Sequence, residues 1–256
     1  MSRKIVICGY SSIAASVVRI LLDIFKYDHS EILCVTYDLP GNSLFLEFLQ
    51  KRGVPHIIGS IRSTLIQQRI SDFQPDYLGS IYFRDIIPKK VLEVVKLRNF
   101  NAHPSLLPDY KGCFSSCWCL INGESKTGVT YHEMNEKIDE GDILWQVETP
   151  IYKTDTGFSL FQRLVSDVII NFRPFYKALL DGELSVRPMP KGGRYFKREA
   201  PYQGKINPEW PDQKIERFIR AMFFPPFEGA TVEIKGQSYE VNSMKEYLDL
   251  RNRFDI

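Results

Sequence analysis

Short apolar runs alternate with amphipathic helical segments over residues 4–103, and this alternation restricts the fold more than any other feature of the chain. Residues 4–8 form a β-branched run suited to a buried strand. Gly9-Tyr10-Ser11-Ser12 then turns the chain, and Ile13, Val17, Leu21 and Ile24 recur at helical spacing. The pattern continues with a strand at 32–37, a helix at 43–51 closed by Gly53, and a strand at 56–58. Next come a helix at 61–73 with Ile61, Leu65 and Ile66 turned inward, a strand at 77–82, and a helix at 88–96 with Pro88 in its first turn. The last strand of the series carries Phe100 and Ala102 and ends at His103, because Pro104 has no N–H to give to a ladder. Strands alternating with helices predict an α/β fold: a mostly parallel sheet with helices on both faces. Right-handed crossovers bring the strands' carboxyl ends to one edge, where open α/β sheets bind ligands. Asn101 and His103 are two residues apart, so both side chains leave one face of their strand at that edge. Alone, the pair is also compatible with a polar turn.

The pattern changes after residue 103. A helix is expected at 112–122 and strands at 128–134 and 142–148, with Asp139-Glu140-Gly141-Asp142 between the strands. Asp155 or Thr156 caps a long helix to about residue 180, with Pro174 as a place to bend. From 188 to 204 the chain is rich in Gly, Pro and basic residues. A helix at 212–222, a break at 223–227, a hairpin around Lys235-Gly236 and a capping box of Ser243 with Glu246 follow. The expected division is a domain at 1–189 and a small C-terminal module with a β-hairpin at 190–256.

Composition narrows the function classes. A net charge of +2 in 256 residues carries no basic surplus, so no nucleic-acid partner is expected. No apolar run approaches the ~18 residues of a membrane span, and the N-terminus reads as a first strand rather than a secretory signal. Five cysteines without framework spacing point to a reducing, cytoplasmic setting. Cys113, Cys117 and Cys119 lack a CxxC pair, so they read as buried thiols and no metal is expected. Gly9 is the only glycine in its turn, which leaves nicotinamide-dinucleotide binding unsupported. Ser11 and Ser12 either hold a phosphate on the helix N-terminus or cap the helix.

The stretch Asn101-Ala102-His103-Pro104-Ser105-Leu106-Leu107-Pro108, followed by Tyr110 and Gly112, resembles the signature of the N10-formyltetrahydrofolate-dependent formyltransferases. Asn122-Gly123-Glu124, Thr127-Gly128-Val129-Thr130 and Asp139-Glu140-Gly141-Asp142-Ile143-Leu144 follow in that family's order and spacing. The resemblance implies a Rossmann-like formyltransferase domain at 1–189. It implies catalytic roles for Asn101, His103 and Asp139, and N10-formyltetrahydrofolate as co-substrate. It places the folate against Tyr82, Phe83, Arg84, Ile86 and Ile87 and against Gly141 and Asp142. His132, between Tyr131 and Glu133, reads as structural.

Tyr82-Phe83-Arg84-Asp85-Ile86-Ile87, the tail 193–198 and the run 220–227 are similar to the sugar-nucleotide N-formyltransferase branch. That branch implies a dTDP- or UDP-linked amino sugar as acceptor, surface-polysaccharide (O-antigen) synthesis, and a homodimer through the C-terminal module. A diphosphate needs cations and a base needs a stacking surface, which Arg194, Lys197 and Arg198 interleaved with Tyr195 offer. Ser11, Ser12 and Tyr110 complete the expected acceptor set. The alternatives are a methionyl-tRNA formyltransferase-like enzyme and a non-catalytic folate- or nucleotide-binding module.

Overall fold

The computed structural model describes residues 3–255. The alternating half runs β1 (Ile5–Gly9), α1 (Ser11–Asp23), β2 (Ile32–Thr36), α2 (Ser43–Arg52), β3 (His56–Ile58), α3 (Thr64–Phe73), β4 (Tyr77–Ile81), α4 (Lys89–Leu92) and β5 (Arg98–His103). The chain continues through β6 (Lys111–Gly112), α5 (Ser115–Ile121), β7 (Lys126–His132), β8 (Ile143–Pro150) and α6 (Gly157–Asp181). Then come β9 (Tyr195–Phe196), α7 (Asp212–Met222), β10 (Ala230–Ile234), β11 (Gln237–Val241) and α8 (Met244–Phe254). The result is the expected Rossmann-like α/β architecture. A seven-stranded sheet has the order β3-β2-β1-β4-β5-β7-β8. Strands β1 to β5 pair parallel with their neighbours, and β7 pairs antiparallel with β5.

Two compact units divide the chain. One holds residues up to His103, Thr130–Gln146 and Val168–Pro190. The other holds Pro104–Val129, Val147–Asp167 and the chain from Lys191 onward. The 190–256 stretch is thus part of a larger second unit.

In the first unit, Val6, Cys8, Leu33, Val35 and Leu78 form one buried layer with Ile61, Ile66, Ile70, Ile87 and Val91. The β-branched strand residues lie flat on the pleat while the helical residues fill the gaps between them. Phe100 and Tyr131 from the strands meet Phe175 of α6, with ring centroids 5.1 and 4.2 Å away respectively. Gly79 of β4 is small because a Cβ there would stand 2.6 Å from the Phe100 ring. Helix α6 runs unbroken through Pro174.

Several boundaries differ from expectation for local reasons. Helix α3 starts at Thr64, which puts Ile66 and Ile70 on the core face and leaves Leu65 70% exposed. One residue along a helix is ~100° around it, so Leu65 cannot share that face. The helix expected at 88–96 is only Lys89–Leu92, with Pro88 as its N-cap. Helix α5 begins three residues late, because Phe114 at φ +58° sets a left-handed entry and Gly112 belongs to β6.

In the second unit, α5 packs on α7, whose Ile215, Phe218, Ile219 and Met222 form the buried face. β10 and β11 make the expected antiparallel hairpin. Ser243 Oγ accepts the Glu246 N–H, while the Glu246 carboxylate reaches the Asn242 N–H, one residue earlier than a capping box requires. β6 and β9 pair parallel, Lys111 with Tyr195 and Gly112 with Phe196, tying the segment after Pro104 to the basic aromatic tail.

Candidate active site

β5 presents Asn101 and His103 on one face, opposite His132 and Thr130 of β7 in the antiparallel register. The loop after β7 brings a carboxylate to them. The Glu133 N–H donates to the Asp142 carbonyl at 2.8 Å, closing the loop at its base. Gly141 lies against Glu133 so closely that a Cβ would stand 2.0 Å from its carbonyl oxygen. Asp139, at φ +53°, turns back between the two imidazoles. Its Oδ2 is 3.4 Å from His103 Nδ1 and its Oδ1 is 3.4 Å from His132 Nε2. The three side chains are 6%, 2% and 10% exposed for His103, His132 and Asp139 respectively.

Hydrogen bonding assigns the His132 tautomer. Its Nδ1 is 2.7 Å from the Glu133 carbonyl, which only accepts, so Nδ1 carries a proton. In the neutral ring Nε2 is then the acceptor, and Asn101 Nδ2 donates to it at 3.0 Å. Asn101, His103, His132 and Asp139 are therefore one cluster built around two buried imidazoles. It combines an amide, two proton-carrying rings and a carboxylate that compensates positive charge on either ring.

The segments expected to hold a folate are also in the first unit. Tyr82 lies at φ +54° and is 42% exposed. Phe83 stacks on Tyr37 at 4.8 Å, and the Arg84 guanidinium sits 5.8 Å from the Tyr10 ring. The Tyr37 hydroxyl accepts the Asp85 N–H, and burial followed by the Asp85 charge pushes its pKa up. Ile86 is exposed, whereas the Ile87 side chain is committed to the core. Gly141 and Asp142 lie in the loop that delivers Asp139. Ser11 builds the β1–α1 turn: its N–H donates to Asn42 Oδ1 at 2.8 Å and its Oγ accepts the Ile13 N–H. Ser12 is exposed in the first turn of α1.

The remaining expected acceptor residues gather in the second unit. Tyr110 is buried, and its hydroxyl donates to Glu124 Oε1 at 2.5 Å. Arg194 Nη2 donates to that hydroxyl at 2.7 Å and to Glu124 at 2.9 Å, with its guanidinium 4.4 Å from the Tyr110 ring. The Tyr110 bond, followed by Arg194, holds the Glu124 carboxyl below its usual range, while burial pushes the Tyr110 hydroxyl up. Tyr110 and Arg194 thus serve first to build the loop. Tyr195, Lys197 and Arg198 are exposed. Beside them Trp118, Tyr195, Phe196, Lys197, Glu199 and Tyr202 line a cavity of about 490 Å³.

The formyl transferase family profile matches residues 60–168, which include every member of the cluster. The GDP-perosamine N-formyltransferase of Brucella melitensis is 38% identical over 202 residues, covering 79% of this chain and 78% of that protein. The chain belongs to the formyl transferase family. Its fold is also that of WlaRD, a sugar 3N-formyl transferase crystallised in the presence of dTDP and 5-N-formyl-THF. The TM-score is 0.76 at 22% identity, over 94% of this chain and 85% of that one. The N-formyltransferase from Helicobacter canadensis, in complex with folinic acid and dTDP-3-aminofucose, gives 0.74 at 23% identity, over 94% and 86%.

Within this formyl transferase, sequence reasoning missed two groups of residues. His132 belongs to the cluster, but only the β5–β7 pairing reveals it, and such pairing is non-local. Trp118 of α5 and the neighbouring Glu199 and Tyr202 reach the cavity wall from two separate segments. A one-residue signal existed for neither group. Among the described residues, no group of three or more His, Cys, Asp or Glu side chains is arranged to hold a metal, and no helix is long and apolar enough to cross a membrane.

Proposed function

We propose that this formyl transferase moves a formyl group from N10-formyltetrahydrofolate to the amine of a GDP-linked amino sugar. The Asn101–His103–Asp139–His132 cluster carries the reaction class. GDP replaces the dTDP or UDP expected from sequence because a relative of 38% identity acts, by its name, on GDP-perosamine.

The neutral amine attacks the formyl carbon, a C–N bond forms, and negative charge develops on the formyl oxygen. The Asn101 amide is one donor to that oxygen. The other is His103 in its imidazolium form, which donates through Nε2 while Nδ1 faces the Asp139 carboxylate. Each such donor is worth ~3 kcal/mol of barrier. Asp139 takes up the proton lost by the amine, directly or through a water, and the proton ends on N10 as the C–N10 bond breaks and tetrahydrofolate leaves. Folate contacts at Tyr82–Ile87 and at Gly141 and Asp142, with Ile87 contributing through its backbone, complete the donor side. Ser12, Tyr195, Lys197 and Arg198 serve the acceptor, and the 190–256 stretch is its main source of contacts.

Cytoplasmic action, a part in surface-polysaccharide synthesis and a homodimer go with this reading. All five cysteines are free thiols, as a reducing compartment keeps them. Sedimentation velocity reads the oligomer.

The deciding assay follows tetrahydrofolate release from N10-formyltetrahydrofolate with GDP-perosamine, dTDP-3-aminofucose, a UDP-linked 4-amino sugar and methionyl-tRNA in parallel. Turnover is expected with the GDP sugar. Formylation of methionyl-tRNA alone would overturn the proposal, as would no turnover with any acceptor.

A further inference from the structure

We infer that Glu199 reads the base of the nucleotide sugar and selects guanine. The inference rests on the nucleotide-sugar reading above and adds to it the residue that chooses the base.

The cavity in the second unit has aromatic walls and one charged side. Trp118 and Phe196 are stacked on each other at 4.4 Å, and Trp118 meets Tyr202 edge-on at 5.3 Å, so these rings form a fixed wall. Tyr195 differs from them. Its ring is 51% exposed and pairs with no other ring among the described residues, so a face remains for a purine to stack on. Lys197, Glu199, Ala200 and Gln203 complete the lining, and the Glu199 N–H donating to the Lys197 carbonyl at 2.9 Å holds Lys197 and Glu199 in one tight turn, with Glu199 the one carboxylate among them. Among the described residues no ion pair engages the Glu199 carboxylate.

A carboxylate only accepts hydrogen bonds. Guanine presents N1–H and N2–H2 side by side on one edge, matching the two carboxylate oxygens. The neighbouring O6 only accepts, and an ammonium such as that of Lys197 suits it. Thymine and uracil place N3–H between two carbonyl oxygens, so a carboxylate there meets lone pairs on both sides. Adenine offers an amino group beside the bare N1 acceptor. Selection therefore works both ways: guanine gains a charge-assisted pair, and the other bases bring an acceptor against a negative charge.

The test uses the full chain and calorimetric titration with GDP, inosine diphosphate and dTDP. Inosine diphosphate lacks only the 2-amino group. The wild type is expected to bind GDP about tenfold or more tightly than inosine diphosphate, and dTDP more weakly still, as one hydrogen bond to a charged acceptor implies. Glu199→Gln is expected to lose about tenfold for GDP and to close the gap between GDP and inosine diphosphate, with dTDP unchanged or tighter. The exposed position leaves the fold intact, and an unchanged melting temperature checks this. An unaltered GDP-to-inosine gap in Glu199→Gln overturns the assignment, as does a wild type that binds dTDP as well as GDP or binds no nucleotide. If the wild type formylates GDP-perosamine while the gap persists in the variant, only the role of Glu199 fails. If no nucleotide sugar is formylated, the parent reading fails.

Discussion

The cluster on β5 and β7 and the basic aromatic tail after residue 190 are built on opposite principles. Asn101, His103, His132 and Asp139 touch one another, are nearly or partly enclosed, and sit on paired strands or on a loop pinned by Gly141. In the tail, Tyr195, Lys197, Arg198 and Glu199 are all exposed on a short stretch anchored through the two-residue pairing of β6 with β9. Strands hold a catalytic group within fractions of an ångström, which charge stabilisation needs. A loop tolerates substitution without disturbing the sheet. The contrast fits the proposal that the first region carries the reaction chemistry and the second the choice of acceptor.

The sharpest way to break that assignment is to remove a member of the cluster. Asn101→Ala, His103→Ala and Asp139→Asn are each expected to lower kcat by about 10²–10³-fold with little change in acceptor KM, the size seen when one oxyanion donor is lost. Single-turnover kinetics with an unchanged melting temperature checks the effect. Near-normal kcat in any of them removes that residue from the chemistry.

His132 sharpens the same side of the comparison. In His132→Phe the Asn101 amide loses its acceptor and Asp139 loses one of its two rings. A fall in kcat of about tenfold is expected, smaller than for His103 because the donor itself remains. An effect as large as that of His103→Ala would make His132 a direct participant.

On the tail the expected signature reverses. Tyr195→Ala is expected to raise KM for the nucleotide sugar about tenfold and to leave kcat nearly unchanged, as a lost base-stacking surface does. A fall in kcat without a change in KM would show that the tail acts in the reaction.

The same contrast marks what the sequence could show. β1 to β5 were legible because period-2 and period-3.6 patterns are local, and the strand end at Pro104 follows from covalent chemistry. Asn101, His103 and Asp139 were legible through linked motifs. Leu65 misled because Ile61, Leu65 and Ile66 fit a helical face if the helix starts at 61, but Ile61 belongs to the preceding turn. His132, flanked by Tyr131 and Glu133, reads as structural in the sequence, and its partners come from β5 and from a loop, at separations that no local pattern encodes. Sequence makes Ser11, Tyr110 and Arg194 expected acceptor contacts, whereas in the fold their polar atoms are engaged in holding their own segments. Residue type alone does not separate a group that binds a ligand from one that holds a loop.

The Tyr110–Glu124–Arg194 knot allows a finer test, with the smallest expected effect. Hydrogen bonds from Tyr110 and Arg194 depress the Glu124 carboxyl in the folded chain. A carboxyl depressed on folding adds stability above its unfolded pKa, ~4.3, and loses it as pH falls through the folded value. Glu124 is more than one-third exposed, so solvent screening keeps the contribution to ~1 kcal/mol or less. The wild type is therefore expected to be slightly more stable than Glu124→Gln at pH 7. The difference should shrink in parallel urea titrations as pH falls below ~4.3 and through the depressed folded value, because both side chains are then neutral. If the knot fixes the register of β6 on β9, the variant also raises acceptor KM at pH 7 while kcat holds. A fall in kcat with unchanged KM would place Glu124 with the reaction chemistry instead and dissolve the division between the two regions.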